Sequence, residues 1–258
     1  MTHLSLFTGI GGIDLAAEWA GFETVGQCEW ADYPTKVLEK HWPDVPRWRD
    51  VRDVTADALQ GQGIEKITVV SAGFPCQPHS LAGKRKASDD ERDLWGEVVR
   101  ILCEVNPRWF MGENVPGLLS SEDGQLFGRV LRELAEMGYS VGWCCFPAHA
   151  TGSDLWGERV FIVAASDSVR RDCMVEKCKE RLQDINLEML ERKKTESNYL
   201  PLHVEWPIPK PVSGYKRNDD GLSEGMDRLK CLGNAVVPQQ IYPIFKAIAQ
   251  IEEEFDGT

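Results

Sequence analysis

Cys76 is the side chain in this 258-residue sequence best suited to covalent chemistry. It follows Pro75 and precedes a polar run, and the apolar residues 67–71 just before it have the composition of a buried strand. A thiol at the carboxyl end of a strand, beside a helix N-terminus or basic groups, can act as a thiolate nucleophile. An isolated cysteine is more often a small buried hydrophobic residue, but the proline and the polar residues around Cys76 indicate a shaped, exposed loop.

Two further groups flank strand-like runs and could face the same crevice. Glu113-Asn114 closes the run 109–113, and an acid at that place could donate to, or pair with, a ring nitrogen of a bound base. Arg159 begins another apolar run and could reach the same crevice. A structural acid that caps the next loop and a surface arginine are the alternative interpretations, and position alone leaves both open.

A glycine-rich turn comes directly after the first strand-like run. Gly9, Gly11 and Gly12 would let a ligand approach the backbone closely, and Glu29, 20 positions after Gly9, could accept hydrogen bonds from a ribose. The spacing lacks the full Gly-x-Gly-x-x-Gly pattern, so it indicates a ribose-bearing cofactor without requiring a dinucleotide. A tight turn without a ligand is the alternative. Asp50 could hold an adenine amino group, or it could be a solvated loop acid.

Strand-like and helix-like runs alternate along the first two thirds of the chain, which predicts a doubly wound, mostly parallel α/β sheet. We predict strands at 3–7, 22–29, 67–71, 109–113, 139–146 and 160–165. We predict helices at 14–20, 34–41, 93–104, 125–137 and 238–255.

The composition changes after residue 166, which divides the chain into two parts. Residues 1–166 and 223–258 are expected to form the main domain, and 167–222 a small inserted lobe. The net charge of −12 argues against nucleic-acid binding. The charge is uneven, however: residues 170–217 hold 11 Lys and Arg against 8 Asp and Glu, so the rest of the chain carries −15. The basic run 84–86 is a second candidate phosphate contact.

The remaining bulk features predict a cytoplasmic monomer with free thiols. No apolar stretch approaches the roughly 20 residues that span a bilayer, and the N-terminus has no basic leader before a long apolar run. The eight cysteines lack the paired spacing of a zinc site, so we expect no metal. We expect no membrane partner either.

Taken together, these segments resemble the cytosine carbon-5 DNA methyltransferase family over nearly the whole chain and in the family's order. The resemblance implies a Rossmann-like S-adenosylmethionine-dependent sheet with a small inserted target-recognition lobe. It assigns catalytic roles to Pro75, Cys76, Glu113, Asn114 and Arg159. It assigns cofactor binding to Phe7, Thr8, Gly9, Gly11, Gly12, Glu29, Trp30, Asp50, Val51, Leu94, Asn234 and Ala235.

The resemblance further implies a mechanism on double-stranded DNA, with S-adenosylmethionine as cofactor. The target cytosine is flipped out of the duplex. The Cys76 thiolate adds to ring carbon 6, Glu113 stabilises the proton or charge at ring nitrogen 3, and carbon 5 takes the methyl group. A restriction-modification setting is typical of the family.

Two features depart from the family's pattern. The family has Gln-x-Arg-x-Arg where this chain has Leu155-Trp156-Gly157-Glu158-Arg159, so only the last arginine is kept and support of the catalytic loop could be weaker. The lobe at 167–222 is short, which predicts a short or degenerate recognition sequence.

Three other functions stay open at the level of sequence. The first is a transfer RNA cytosine methyltransferase on the same core. The second is a catalytically impaired relative that only binds nucleic acid, although the intact Pro75-Cys76 and Glu113 argue against decay. The third is a nucleotide-dependent oxidoreductase, which the imperfect glycine spacing disfavours.

Overall fold

The computed structural model describes residues 1–75, 94–151, 157–166 and 235–256. Within these ranges, seven strands form a single sheet. They are β1 Thr2–Leu6, β2 Glu23–Cys28, β3 Arg47–Trp48, β4 Val69–Ala72, β5 Trp109–Asn114, β6 Tyr139–Pro147 and β7 Glu158–Ser166. Their order is β3-β2-β1-β4-β5-β7-β6. The predicted α/β class is therefore confirmed.

The sheet is parallel from β3 to β5 and antiparallel at its last two pairings. A parallel return needs a crossover of a dozen or more residues, whereas β6 and β7 are joined by residues 148–157 alone. They therefore pair as neighbours, and β7 lies between β5 and β6. The strand order reverses between β1 and β4, and in such a sheet ligands bind at the carboxyl ends of the strands at that reversal.

Helices connect the strands near the positions that the sequence predicts. They are α1 Gly12–Trp19, α2 Asp32–His41, α3 Ala56–Gln60, α4 Trp95–Val105, α5 Gln125–Glu136 and α6 Pro238–Asp256. The short α3 was not predicted. Helix α1 begins two residues earlier than expected, because Gly11 takes a left-handed φ of 86° and serves as the N-cap. Gly21, also at φ 86°, follows the end of that helix as predicted.

Each face of the sheet carries its own core, and β1 shows the division. Leu4 and Leu6 lie on one face in a cluster with residues of α4 and α5. His3 lies on the other face, where its ring meets Phe245 of α6 edge-on at 5.3 Å. Burial lowers the pKa of His3 to about 3, so its imidazole is neutral and serves as a hydrogen-bonding core residue, with Nε2 2.7 Å from the Ser71 hydroxyl.

Several predicted features fall beyond the described residues. Among them are the lobe at 167–222, the basic run 84–86, and residues 155 and 156 of the run that differs from the Gln-x-Arg-x-Arg pattern. Within the part of the chain that the structure describes, no helix is long and apolar enough to cross a membrane. The same residues contain no cluster of His, Cys, Asp and Glu that could hold a metal ion.

Candidate active site

The turn after β1 is shaped by backbone conformations that favour glycine. Gly9 and Gly11 have φ of 60° and 86°, and even Phe7 lies in the left-handed region at 54°. A methyl group on Gly11 would collide with the Trp42 ring, and one on Gly12 would collide with the carbonyl oxygen of Val236. A methyl group on Gly9 would meet nothing within 4 Å. The protein's own packing therefore fills one side of the turn, and the side above Gly9 is open.

Glu29 lies against this turn, as the spacing of 20 residues predicts. Its carboxylate accepts a hydrogen bond from the Gly9 N–H at 2.7 Å and another from the Ala31 N–H at 2.8 Å. The Thr8 hydroxyl lies 3.2 Å from the Cys28 backbone nitrogen and accepts its hydrogen bond. The turn and the end of β2 are thus tied together by short contacts.

Asp50 belongs to the same cluster of acids. Burial raises the pKa of the Cys28 thiol to about 12, and the charges of Glu29 and Asp50 add to that rise. The Asp50 carboxylate also caps a 3₁₀ turn by accepting from the Arg52 N–H at 2.9 Å. The other Asp50 oxygen lies 3.4 Å from the Arg52 Nη1, and the Asp50 side chain is 25% exposed. The alternative role of Asp50 as a structural loop acid is therefore observed.

The other predicted cofactor residues surround this end of the sheet. Trp30, next to Glu29, is 71% exposed, whereas Val51 is buried. Leu94, at the start of α4, packs against the same core cluster as Phe7. Ala235 precedes Val236, whose carbonyl oxygen lies against Gly12, so this part of the closing motif lies beside the glycine turn. Its role in binding a cofactor stays a prediction. Asn234 lies outside the described residues.

Glu113 and Arg159 form a buried ion pair at the end of β5. The Arg159 Nε lies 2.9 Å from the Glu113 Oε1, and the two side chains are 12% and 11% exposed. Antiparallel pairing of Asn114 with Val160 brings the two strands into this register. Burial raises the pKa of Glu113 to about 7, and the positive charge of Arg159 opposes the rise. Glu113 can therefore carry a proton near neutral pH.

The chain leading to Cys76 is held beside this pair. A methyl group on Gly73 would lie 3.3 Å from the Glu113 Oε2 and 3.5 Å from the Phe7 carbonyl oxygen. The Asn114 side chain donates to the Phe74 carbonyl at 2.9 Å, and the buried Phe74 ring packs on Trp95. The ends of β1, β4 and β5 therefore converge at Gly73.

The predicted nucleophile itself is not among the described residues. Pro75 is the last described residue of its segment and is exposed, and Cys76 lies beyond it. The structure thus brings together Glu113, Asn114 and Arg159 with the segment that precedes the cysteine.

Two residues that shape the site had no signal in the sequence. Trp42 closes one side of the glycine turn, and its indole N–H donates to the Glu18 carboxylate. Gln240, in the first turn of α6, bonds to the chain on either side of the β6–β7 connection. Both act through contacts with residues distant in the sequence, which periodicity and local motifs do not encode.

Solved structures share this fold at low sequence identity. A protein encoded within an E. coli prophage aligns with a TM-score of 0.58 at 24% identity, covering 68% of this chain and 49% of that one. The Dnmt2 methyltransferase of S. pombe aligns with a TM-score of 0.54 at 20% identity, covering 65% of this chain and 51% of that one. At such identities the likeness establishes the architecture.

Sequence comparison establishes the family. Residues 1–205 match the family model described as C-5 cytosine-specific DNA methylase. The Type II methyltransferase M.BsuFI of Bacillus subtilis is 35% identical over 164 residues, which cover 63% of this chain and 39% of that protein. M.NgoMIV of Neisseria gonorrhoeae is 34% identical over 163 residues, with 63% and 51% covered. The chain spans about half the length of these curated relatives, or less. With most of its length matched by the family model, it belongs to the C-5 cytosine-specific DNA methylase family.

Proposed function

We propose that this protein transfers a methyl group from S-adenosylmethionine to carbon 5 of a cytosine in double-stranded DNA. The observation that carries the proposal is the buried Glu113–Arg159 pair beside Gly73, three residues before Cys76. An acid whose pKa lies near 7 is suited to holding a proton at a base nitrogen at physiological pH. The family membership of residues 1–205 supports the same chemistry.

The residues at the end of β1 and β2 fit the proposed cofactor. The open space above Gly9 admits a ligand close to the backbone, and the Glu29 carboxylate has acceptor capacity for ribose hydroxyls. The exposed Trp30 ring offers a flat apolar surface for an adenine or for the sulfonium arm. When bound, S-adenosylmethionine supplies an electrophilic methyl group.

The protein's task is to make cytosine carbon 5 nucleophilic, since the intact aromatic ring is a poor nucleophile there. In the proposed sequence the Cys76 thiolate forms a bond to ring carbon 6, and the displaced electron pair moves toward ring nitrogen 3, where protonated Glu113 stabilises it. The resulting enamine places electron density on carbon 5. After transfer, carbon 5 loses its proton to a base, the carbon 5–carbon 6 double bond forms again, and the thiolate leaves.

Arg159 and Asn114 have supporting parts in this scheme. Arg159 keeps a positive charge against Glu113 and limits the rise of its pKa, so that the acid can exchange its proton near pH 7. Asn114 fixes the Phe74 carbonyl and thereby the start of the segment that contains Cys76. A base must leave the duplex to reach such a crevice, so we propose that the cytosine is flipped.

The proposed division of labour assigns 1–166 and 223–258 to catalysis and 167–222 to DNA recognition. The excess of 11 basic over 8 acidic residues at 170–217 supports a phosphate-contacting role in an otherwise acidic chain. We further propose that the protein is a cytoplasmic monomer of a restriction-modification system, since the curated relatives are named Type II methyltransferases. The short lobe predicts a short or degenerate recognition sequence, which methylation mapping on random-sequence DNA tests. A long, strict recognition sequence would contradict this prediction.

A trapping experiment tests the central proposal. The protein is incubated with S-adenosylmethionine and DNA that contains 5-fluorocytosine, in which loss of the carbon 5 substituent is blocked. Wild type should form a denaturation-resistant adduct, Cys76→Ala should form none, and Cys103→Ala, which removes an exposed cysteine on α4, should behave as wild type. An adduct that persists in Cys76→Ala, or one that forms with transfer RNA and not with DNA, would overturn the proposal.

A further inference from the structure

Gln240 is a buried amide that bonds to two chain segments at once. It lies in the first turn of α6 and is 3% exposed. Its Nε2 donates to the Phe146 carbonyl at 2.8 Å and to the Gly157 carbonyl at 2.9 Å. Both carbonyls belong to the end of the β6–β7 hairpin where the connection leaves the sheet. The Gln240 amide therefore ties the two strands together at that end.

The strand position that Gln240 fixes is next to the catalytic arginine. The Gly157 carbonyl also accepts from the Ala148 N–H at 2.9 Å, and Phe146 is the register partner of Arg159. A methyl group on Gly157 would lie 3.4 Å from the Arg159 Nη1, so the guanidinium passes directly over this backbone. A shift of Gly157 would therefore move the charge that faces Glu113.

The chain just before α6 reaches the glycine turn. The Val236 carbonyl contacts Gly12, and the chain then enters α6, where Gln240 follows two residues after Pro238. The helix is anchored by the buried side chains of Ile241 and Phe245 against the core on the α1 side of the sheet. The first turn of α6 thus lies between the Gly12 contact and the β6–β7 connection.

We propose that Gln240 is the positioning residue for Arg159, holding the start of β7 so that the guanidinium stays against Glu113. The proposal rests on the proposed methyl transfer for its kinetic consequence, but its structural consequence can be measured without activity. A positioning role for Gln240 differs from a purely structural role in one respect. Loss of the Gln240 amide should change the electrostatic environment of Glu113 in a protein that remains folded.

The kinetic test compares Gln240→Met with Gln239→Met. The first keeps the volume of the side chain and removes both donated hydrogen bonds, and the second changes the less buried neighbour. We expect Gln240→Met to lower kcat about 10- to 100-fold, as displaced catalytic groups do, with an unchanged KM for S-adenosylmethionine. We also expect the alkaline limb of the kcat profile to move to higher pH, since a displaced Arg159 lowers the pKa of Glu113 less. Gln239→Met should match wild type.

The structural test is independent of turnover. The Glu113 side-chain carboxyl is followed by ¹³C NMR against pH, with Glu113→Gln identifying its signal. A higher titration midpoint in Gln240→Met than in Gln239→Met supports the positioning role of Gln240, whether or not the protein methylates DNA. Absence of methylation by wild type would contradict the proposed function and leave the positioning role standing. If Gln240→Met does not fold, Gln240→His, which keeps one N–H donor, should show a smaller shift in the same direction. An unshifted midpoint in a folded Gln240 variant overturns the proposal.

Discussion

The two sides of the site each bury one acid, and they stabilise it by different means. On the glycine-turn side, the Asp14 carboxylate accepts hydrogen bonds from the neutral side chains of Ser5 at 3.0 Å and Gln27 at 2.8 Å. On the β5 side, Glu113 faces the cation of Arg159. Burial raises the pKa of Asp14 to about 6 and that of Glu113 to about 7.

The difference lies in what each acid can do. Asp14 is enclosed by partners that belong to the fold, and its side chain is fully buried behind the turn. Glu113 keeps one oxygen near Gly73, at the strand ends where a ligand binds. An acid enclosed by neutral hydrogen-bond donors therefore serves the architecture, whereas an acid paired with a cation, with one oxygen beside Gly73, is suited to chemistry.

The largest expected effect is a loss of kcat when Glu113 is replaced, which the replacement of Asp14 should not cause. Glu113→Gln should lower kcat about 10²- to 10⁴-fold, the range for a lost general acid. Protonated Glu113 is depleted as pH rises through about 7, so the wild-type rate should fall on that alkaline limb. The amide of the variant does not titrate, and its residual rate should lose that limb. Single-turnover methyl transfer measured from pH 6 to 9 checks this.

Asp14→Asn is the matched control for that experiment, since it also replaces a buried acid by its amide. It should keep kcat and the alkaline limb. A Glu113→Gln enzyme with wild-type kcat, or one with an unchanged pH profile, would show that the ion pair has only a structural role.

The next largest effect concerns the glycine turn. Gly12→Ala places a methyl group against the Val236 carbonyl oxygen, and overpacking of this kind costs about 1–3 kcal/mol of unfolding free energy. Because the same contact joins the turn to α6, we also expect weaker S-adenosylmethionine binding in isothermal titration calorimetry. Gly96→Ala is the control, since nothing lies within 4 Å of its added methyl group. Equal stability and affinity in both variants would contradict the proposed packing.

The glycine turn also shows which part of the site the sequence can predict. The Gly9–Glu29 contact spans 20 residues and follows from one strand, one helix and a second strand, each with clear periodicity. The contacts of the β5 side span 40 residues from Asn114 to Phe74 and 83 from Gln240 to Gly157. The second of these contacts depends on the antiparallel insertion of β7, which a pattern of alternating strands and helices does not specify.

Resemblance to the family identified Glu113 and Arg159 without predicting their geometry. Arg159 lies against Glu113 because the register pairs Asn114 with Val160, and a shift of one residue would turn the guanidinium to the other face. The pKa of Glu113 could not be predicted either, because it depends on burial among residues from three strands. The fold was therefore readable from local patterns, while the electrostatics of the site required the tertiary structure.

A smaller effect tests the structural acid directly. Asp14 binds a proton in the folded state up to about pH 6 and in the unfolded state only up to about 4, so the unfolding free energy should fall as pH rises between these values. Asp14→Asn should flatten that dependence by about 2 kcal/mol, an order-of-magnitude value from the linkage relation. Urea unfolding at pH 4, 5, 6 and 7 measures it. A steeper slope in the variant would contradict the assigned cause.

The smallest effect concerns the bond that holds the chain ahead of Cys76. Asn114→Ala removes the donor to the Phe74 carbonyl and the acceptor for the Val115 N–H. Water can replace the acceptor at the exposed Val115, so we expect a cost of about 1 kcal/mol of unfolding free energy, mainly from the buried bond. Because Phe74 stays packed on Trp95, the domain should remain folded, and the loss should appear mainly in the rate of adduct formation with 5-fluorocytosine DNA. If Asn114→Ala lowers S-adenosylmethionine affinity while the rate of adduct formation is unchanged, the Phe74 contact supports cofactor binding. In that case the β5 side would not be specialised for the chemistry on the base, and the contrast between Glu113 and Asp14 would not separate base chemistry from cofactor binding.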